Sequence, residues 1–505
     1  MTSRTASPLL LPTLALTATV IAVLQTVVVP VLATIATDLH TSTAATGWVL
    51  TANLLAAAVL TPVLGRLGDV HGRRPVLLGI LLVVTAASAL AALTSSLPLL
   101  IAARVLQGSS YALFPLSIGV LRDELPTERL TGAMAVVSAT LGAGGGLGLV
   151  MTGLLTRGGG DYHRVFWVAA LVTLAAFVLA LRVVPARRPQ STGGVDWLGA
   201  GVLGAALVLL LLPLSKGHEW GWAQPLTIGC FVAAVAVFAA WLQLEKRLRA
   251  PLVTPALLRH RPLLVTNLAG ICVGVAMFVS FLAVSGFVQA PSSQGYGFTA
   301  SVLGASATYL LPGALIGVLV APAGGRLVRR VGARLVLVLA ALLGAAGFAL
   351  MAVLHTQSWH LITGSILVNG AVSLAFASMP ALIVAEVSPG ETGVANSMNS
   401  IARSIGSSVA SAVVVTLLAS EVLPSGLPEE SAYLTAFVIG GAACVAAAAL
   451  VLFGIPALAA PSDEEIAPRR RPRWPASGAW SARAPDRSPD RVSGGGPADG
   501  RDRRA

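Results

Sequence analysis

The chain is short of charge. Asp, Glu, Lys and Arg make up 11% of its 505 residues, hydrophobic residues make up 55%, and mean hydropathy is +0.83. A soluble fold of this length cannot hide so much apolar surface. Cysteine is scarce: Cys230, Cys272 and Cys444 each sit inside an apolar block, which excludes a disulfide framework or thiolate metal site and leaves three small hydrophobes. Two lysines stand against 31 arginines, a compositional bias without mechanistic content. No Walker loop, zinc-ligand spacing or nucleophile triad occurs, so the sequence points to no enzyme, no cofactor and no ATP hydrolysis. Carboxylates are missing from the depth of every apolar block. Asp38 and Glu386 come near block ends and no closer.

What is present is a series of apolar blocks long enough to cross a bilayer core of about 30 Å. Barrel strands would instead alternate over short stretches. Fourteen spans are predicted, at 11–34, 48–64, 75–93, 97–121, 130–155, 165–184, 197–214, 225–244, 263–290, 300–320, 334–354, 361–387, 392–419 and 433–458. The first is too long for a simple signal segment and runs on into the array, so it is expected to be a span and not a cleaved leader. With the N-terminus inside, eighteen Lys and Arg fall on the cytoplasmic side before the last span, and three (Arg157, Arg164 and Lys216) fall outside. That bias predicts a cell inner membrane protein with both termini cytoplasmic. The stretch 459–505, rich in Pro, Arg, Asp, Ser and Gly, is predicted to be a disordered basic tail.

The chain also repeats itself. Pro62, Gly65, Arg66, Leu67, Gly72 and Arg74 recur 260 positions later as Pro322, Gly325, Arg326, Leu327, Gly332 and Arg334. Leu106-Gln107-Gly108 matches Val368-Asn369-Gly370, and the pattern from Pro126 to Gly132 matches that from Pro389 to Gly393. Spans one to six thus pair with nine to fourteen in parallel orientation. Residues 1–184 and 263–458 are expected to be six-helix bundles, and 185–262 a linker carrying two inserted spans. Internal repeats of this kind are the layout of secondary transporters.

These residues resemble the major facilitator superfamily. The segment Gly65-Arg66-Leu67-Gly68-Asp69-Val70-His71-Gly72-Arg73-Arg74 is similar to that superfamily's signature loop between spans two and three. Residues 100–108, with Arg104, Gln107 and Gly108, are similar to its fourth-span motif. The fourteen-span count, Asp196-Trp197-Leu198-Gly199 before the insertion, and residues 392–406 with Asn396, Asn399, Arg403 and Gly406 resemble the drug:proton antiporter group of EmrB/QacA type. The resemblance implies a secondary transporter that exports small amphiphilic compounds such as drugs or antibiotics by alternating access, in antiport with protons. An importer or facilitator, and a non-transporting sensor or scaffold, are the alternatives. The expected partners are an amphiphilic small molecule, the proton gradient and the lipid bilayer; nucleic acid is not one, and a monomer is expected.

Residue expectations follow. Gly65, Gly68 and Gly72 are to shape a turn, with Arg73 and Arg74 at headgroup level. The resemblance implies that Asp69 latches the two bundles against a helix end. Arg104, costly at bilayer depth, is expected to face the space between the bundles with Gln107 beside it. The resemblance implies that it serves coupling or conformational control. Arg403 and Glu386 are further coupling candidates. Gln25, Asn53, Tyr111, Asn267, Tyr309, Asn369 and Asn399 are expected to face a mostly apolar cavity; each alone is also an ordinary interhelical hydrogen-bonding group. Gly144, Gly148 and Gly153 in span five are expected to let the bundles approach closely. Here the chain departs from the antiporter pattern: Leu149 follows Gly148 where a proline is usual. Span one has Leu24 and Val29 where an acid and an asparagine are usual.

Overall fold

Within hydrocarbon a backbone must satisfy its own polar groups, and a helix does so within one segment. The computed structural model describes residues 7–28, 31–41, 43–155, 161–187, 194, 196–248, 257, 259–420, 423 and 427–456, and every repetitive element among them is helical. The expected tail at 459–505 lies outside the described residues.

The helices are α1 (Leu10–Thr26), α2 (Leu32–Asp38), α3 (Thr43–Thr46), α4 (Trp48–His71), α5 (Arg73–Leu93), α6 (Leu97–Gln107), α7 (Leu113–Glu124), α8 (Thr127–Leu155) and α9 (His163–Val183). They continue with α10 (Trp197–Trp220), α11 (Pro225–Glu245), α12 (Arg261–Gln289), α13 (Leu311–Val331), α14 (Ala333–Val353), α15 (Ser358–Glu386), α16 (Thr392–Ser420) and α17 (Glu430–Gly454). A tight turn, Gly108–Ala112, makes α6 and α7 one span.

The structure does not confirm the predicted count of fourteen. Among the described residues eleven helices are long and apolar enough to cross a membrane, or twelve if the pair Ala305–Gly317 and Pro322–Val331, bent by 45°, is one span. The other two predicted spans coincide with α1, which is 17 residues long, and with α8.

A correction concerns the repeated segment, expected to be a loop. Residues 65–71 are the last two turns of α4, and only Gly72 leaves the helix, at φ +98°. Gly332 makes the same one-residue turn between α13 and α14, at φ +86°. A left-handed angle of this kind is open to glycine at no steric cost.

Packing separates the helices into two groups. Leu14, Leu77, Leu113, Val137 and Ala176 of α1, α5, α7, α8 and α9 share one apolar core. Val279, Leu337, Val372, Ala410 and Phe437 of α12, α14, α15, α16 and α17 share another. A smaller cluster joins α4 and α10 to α15 and α16 through Ala58, Leu203, Leu207, Ile383 and Val394. Thus α10 lies over the seam where α4 meets α16. At the opposite end of that seam Trp222 Nε1 donates to Thr416 Oγ1 at 3.1 Å, and Lys216 lies 5.5 Å over the Trp48 ring. Between the groups, α8 packs against α13 and α15, and α4 against α16.

Candidate functional site

At the basic face of the protein the two groups are tied by charge placed at helix ends. Asp69, on the last turn of α4, is 2% exposed. Its Oδ2 accepts from the backbone N–H groups of Gly393 at 3.1 Å and Val394 at 3.3 Å, in the first turn of α16. Those N–H groups have no intrahelical partner, and the helix dipole favours an anion there. Its Oδ1 accepts from Arg73 Nη2 at 3.0 Å. Arg73 in turn donates to Gly119 O at 3.0 Å and to Asp123, so one guanidinium organises α4, α5 and α7. Beside it, Ser397 Oγ of α16 donates to Thr61 O of α4 at 3.2 Å. Gly65 makes this approach possible, because a Cβ there would lie 2.3 Å from Ser397 Oγ. Gly68 serves packing inside the first group, against Leu116. Arg74 donates to Leu181 O at the end of α9, at 2.9 Å. At the rim Arg187 forms a two-point pair with Glu124, at 2.6 and 3.0 Å, whose hydrogen bonds raise the Arg187 pKa above its ordinary value.

The sequence reading missed Arg122. Its guanidinium reaches across to the other group and donates to Val387 O at 2.9 Å, Ser388 O at 3.1 Å and Val384 O at 3.3 Å, and to Thr392 Oγ1. These carbonyls end α15, where a dipole favours a cation. Asp69 and Arg122 therefore grip opposite poles of two consecutive helices, on either side of the turn Pro389–Glu391. In sequence Arg122 was one of many basic residues on that face, and only the repeat of Pro126–Gly132 nearby marked the region.

Arg104 does not face the space between the groups. It is 1% exposed and enclosed within the first group, where Nε donates to Val49 O at 3.1 Å and Nη1 to Leu24 O at 3.0 Å and Gln107 Oε1 at 2.7 Å. Gln107 passes the network to Ser88 Oγ at 2.9 Å, and Asn53 donates to Arg104 O at 2.9 Å. The three thus bind α1, α4, α5 and α6 together. Asn53 and Gln107 are spent on this network and not on a cavity. The Tyr111 hydroxyl is buried without a partner among the described residues.

A cavity of about 100 Å³ lies between the groups. Gln25 and Thr26 of α1 and Gly145 and Gly146 of α8 face Met277, Phe278, Ser280 and Phe281 of α12 and Asn369 of α15. Of the polar residues expected at a cavity, Gln25 and Asn369 line this one. Asn267, Tyr309 and Asn399 are not among the lining residues. Asn399 donates to Asn267 Oδ1 at 3.3 Å, and Tyr309 donates to Ser358 Oγ at 2.9 Å. Ser280 Oγ is buried without a partner among the described residues. Pockets for drug-sized ligands measure about 300–1,000 Å³, and this cavity is smaller.

On the basic-face side of the cavity, Arg403 of α16 is 9% exposed. It donates to Asn399 Oδ1 and to Ser400 Oγ at 2.8 Å. Its guanidinium lies 4.9 Å from the Phe376 ring centroid and 5.5 Å from that of Phe114, a residue of the first group. Glu386 is placed away from all this, at the end of α15, with its carboxylate 3.4 Å from His260 Nε2.

The span-five glycines divide. Gly153 meets Leu303 of the second group, but Gly144 and Gly148 lie against Ala22, Val23 and Thr26 of α1. Close approach between groups also falls to Gly146, against Ala314, and to Gly132, against Gly325.

Residues 14–411 match the family model described as Major Facilitator Superfamily. The "Tetracenomycin C resistance and export protein" of Streptomyces glaucescens is 32% identical over 391 residues, covering 76% of this chain and 71% of that protein. The "Cephamycin export protein CmcT" of Amycolatopsis lactamdurans is 31% identical over 470 residues, covering 91% and 94%. Among solved structures, the human organic anion transporter MFSD10 (TETRAN) shares the fold, with a TM-score of 0.62 at 17% identity over 88% of this chain and 98% of that one. A helical membrane protein with its two groups of helices tied at one face and parted around a cavity fits these matches, and the chain belongs to the major facilitator superfamily.

Proposed function

We propose that the protein exports small amphiphilic compounds across the cytoplasmic membrane by alternating access, in antiport with protons. The basic face is taken as cytoplasmic and the working unit as a monomer. Residues 1–184 and 263–458 act as the two rocking bundles, with 185–262 as the linker between them. The observation that carries this reading is the cavity between two groups whose basic faces are joined by a polar, separable tie at Asp69 and Arg122. Hydrogen bonds to helix ends can break and re-form without unpacking either core, which a two-state machine requires. Relatives named as export proteins for tetracenomycin C and cephamycin support the outward direction. Sequence departures at Leu24 and Leu149 bear on the coupling ion.

The test is efflux of an aromatic amphiphile from proteoliposomes under an imposed pH gradient. Antiport predicts efflux that accelerates when the outside is acidic and vanishes with D69N or with a cross-link holding Gly65 to Ser397. Efflux indifferent to the pH gradient overturns the proton claim, and accumulation in place of efflux overturns the direction.

A further inference from the structure

The geometry points to an anion-recognising site at Arg403, so that the compounds carried bear a negative charge beside an aromatic body. This rests on the exporter reading and adds the charge class of the cargo. Among the described residues two cations lie away from the ends of the membrane-spanning helices, Arg104 and Arg403, and neither forms an ion pair. Arg104 spends three of its donors on carbonyl oxygens and Gln107 inside the first group, away from the cavity. Arg403 differs. Of the five N–H groups of a guanidinium, hydrogen bonds to Asn399 and Ser400 take two among the described residues. Three are left to a ligand.

The surroundings fit such a ligand. Phe376 lies one helical turn along α15 from Val372, which lines the cavity. Phe114, from the other group, covers Arg403 while the cytoplasmic tie is closed. Parting the groups at that face lifts Phe114 away and bares the guanidinium toward the cytoplasm. An anion then pairs with Arg403 while its aromatic portion rests among Phe376, Phe278 and Phe281. Re-closing restores Phe114 over the guanidinium and displaces the anion into the cavity. A cation meets the buried positive charge of Arg403 and no carboxylate in the cavity lining. Export of an anion also moves negative charge out of a negative interior, where one charge across 100 mV corresponds to about a fifty-fold bias in distribution.

The experiment uses the full chain in proteoliposomes loaded with naphthalene-1-sulfonate or its isostere N,N,N-trimethyl-1-naphthylammonium, both permanently charged. A potassium diffusion potential is imposed with valinomycin. We expect sulfonate efflux at least ten-fold faster than ammonium efflux, and faster again when the interior is made negative. R403Q should slow sulfonate efflux about ten-fold, and R403K should retain a larger share. Ammonium efflux matching or exceeding sulfonate efflux overturns the anion site and leaves the exporter reading standing. R403Q slowing both compounds equally also overturns it, and no efflux of either sinks both readings. If R403Q does not reach the membrane, the wild-type charge preference and potential dependence decide alone.

Discussion

At the scale of single residues, the same charge does different work according to what surrounds it. Asp69 accepts two backbone N–H groups at a helix start and one guanidinium. Hydrogen bonds to charged groups contribute about 1.5–3 kcal/mol. D69N keeps the shape and removes the charge, so the tie should open. In a cysteine-free background, maleimide labelling of S397C should rise about ten-fold with D69N, and an unchanged rate would show that Asp69 does not hold the groups together. Arg104 offers the contrast. Its removal leaves Leu24 O, Val49 O and Gln107 Oε1 short of a donor inside the first group, at about 1–3 kcal/mol for each group left unsatisfied. R104A should therefore lower the thermal-unfolding midpoint and the yield of folded protein. Normal stability with lost transport would return Arg104 to a coupling role.

At the scale of elements, two glycines set how the helices meet. Gly72 turns α4 into α5 in one residue at φ +98°. G72A should cost about 1–3 kcal/mol through that angle, visible as a lower unfolding midpoint with unchanged substrate preference. Gly65 governs approach between groups. G65A places a Cβ against Ser397 Oγ and should hold α4 off α16, slowing transport several-fold. Adding S397A removes the opposing oxygen and should restore most of the rate. Failure of that rescue would place the effect of G65A elsewhere.

At the scale of the whole molecule, the tie at the basic face works on two helix ends at once. Asp69 meets the positive end of α16 and Arg122 the negative end of α15, across one short turn. Because both act on the same segment, their contributions should not add. A double-mutant cycle of D69N and R122Q, read by S397C labelling, should give a coupling energy of about 0.5–3 kcal/mol. Strict additivity would mean two independent contacts and not one device. Helix α10 lies along the same seam, so it borders the surface that must part.

Much of this was legible in the order of residues. Long apolar runs specify helices in a membrane because a helix satisfies its backbone within one segment, whereas barrel strands would alternate. The recurrence of Gly72 as Gly332 marked two equivalent turns, since only glycine adopts that angle freely. Asp69 stood out because an acid among bases at a membrane face calls for a partner. Which partner, and whether a polar residue faces a cavity or a neighbouring helix, depends on the rotation of each helix about its axis. Composition barely records that rotation when every face is apolar. Tertiary packing alone turned Arg104 inward to carbonyls and Asn53 and Gln107 with it, left Gln25 and Asn369 at the cavity, set Gly144 and Gly148 against α1, and carried Arg122 across to the end of α15.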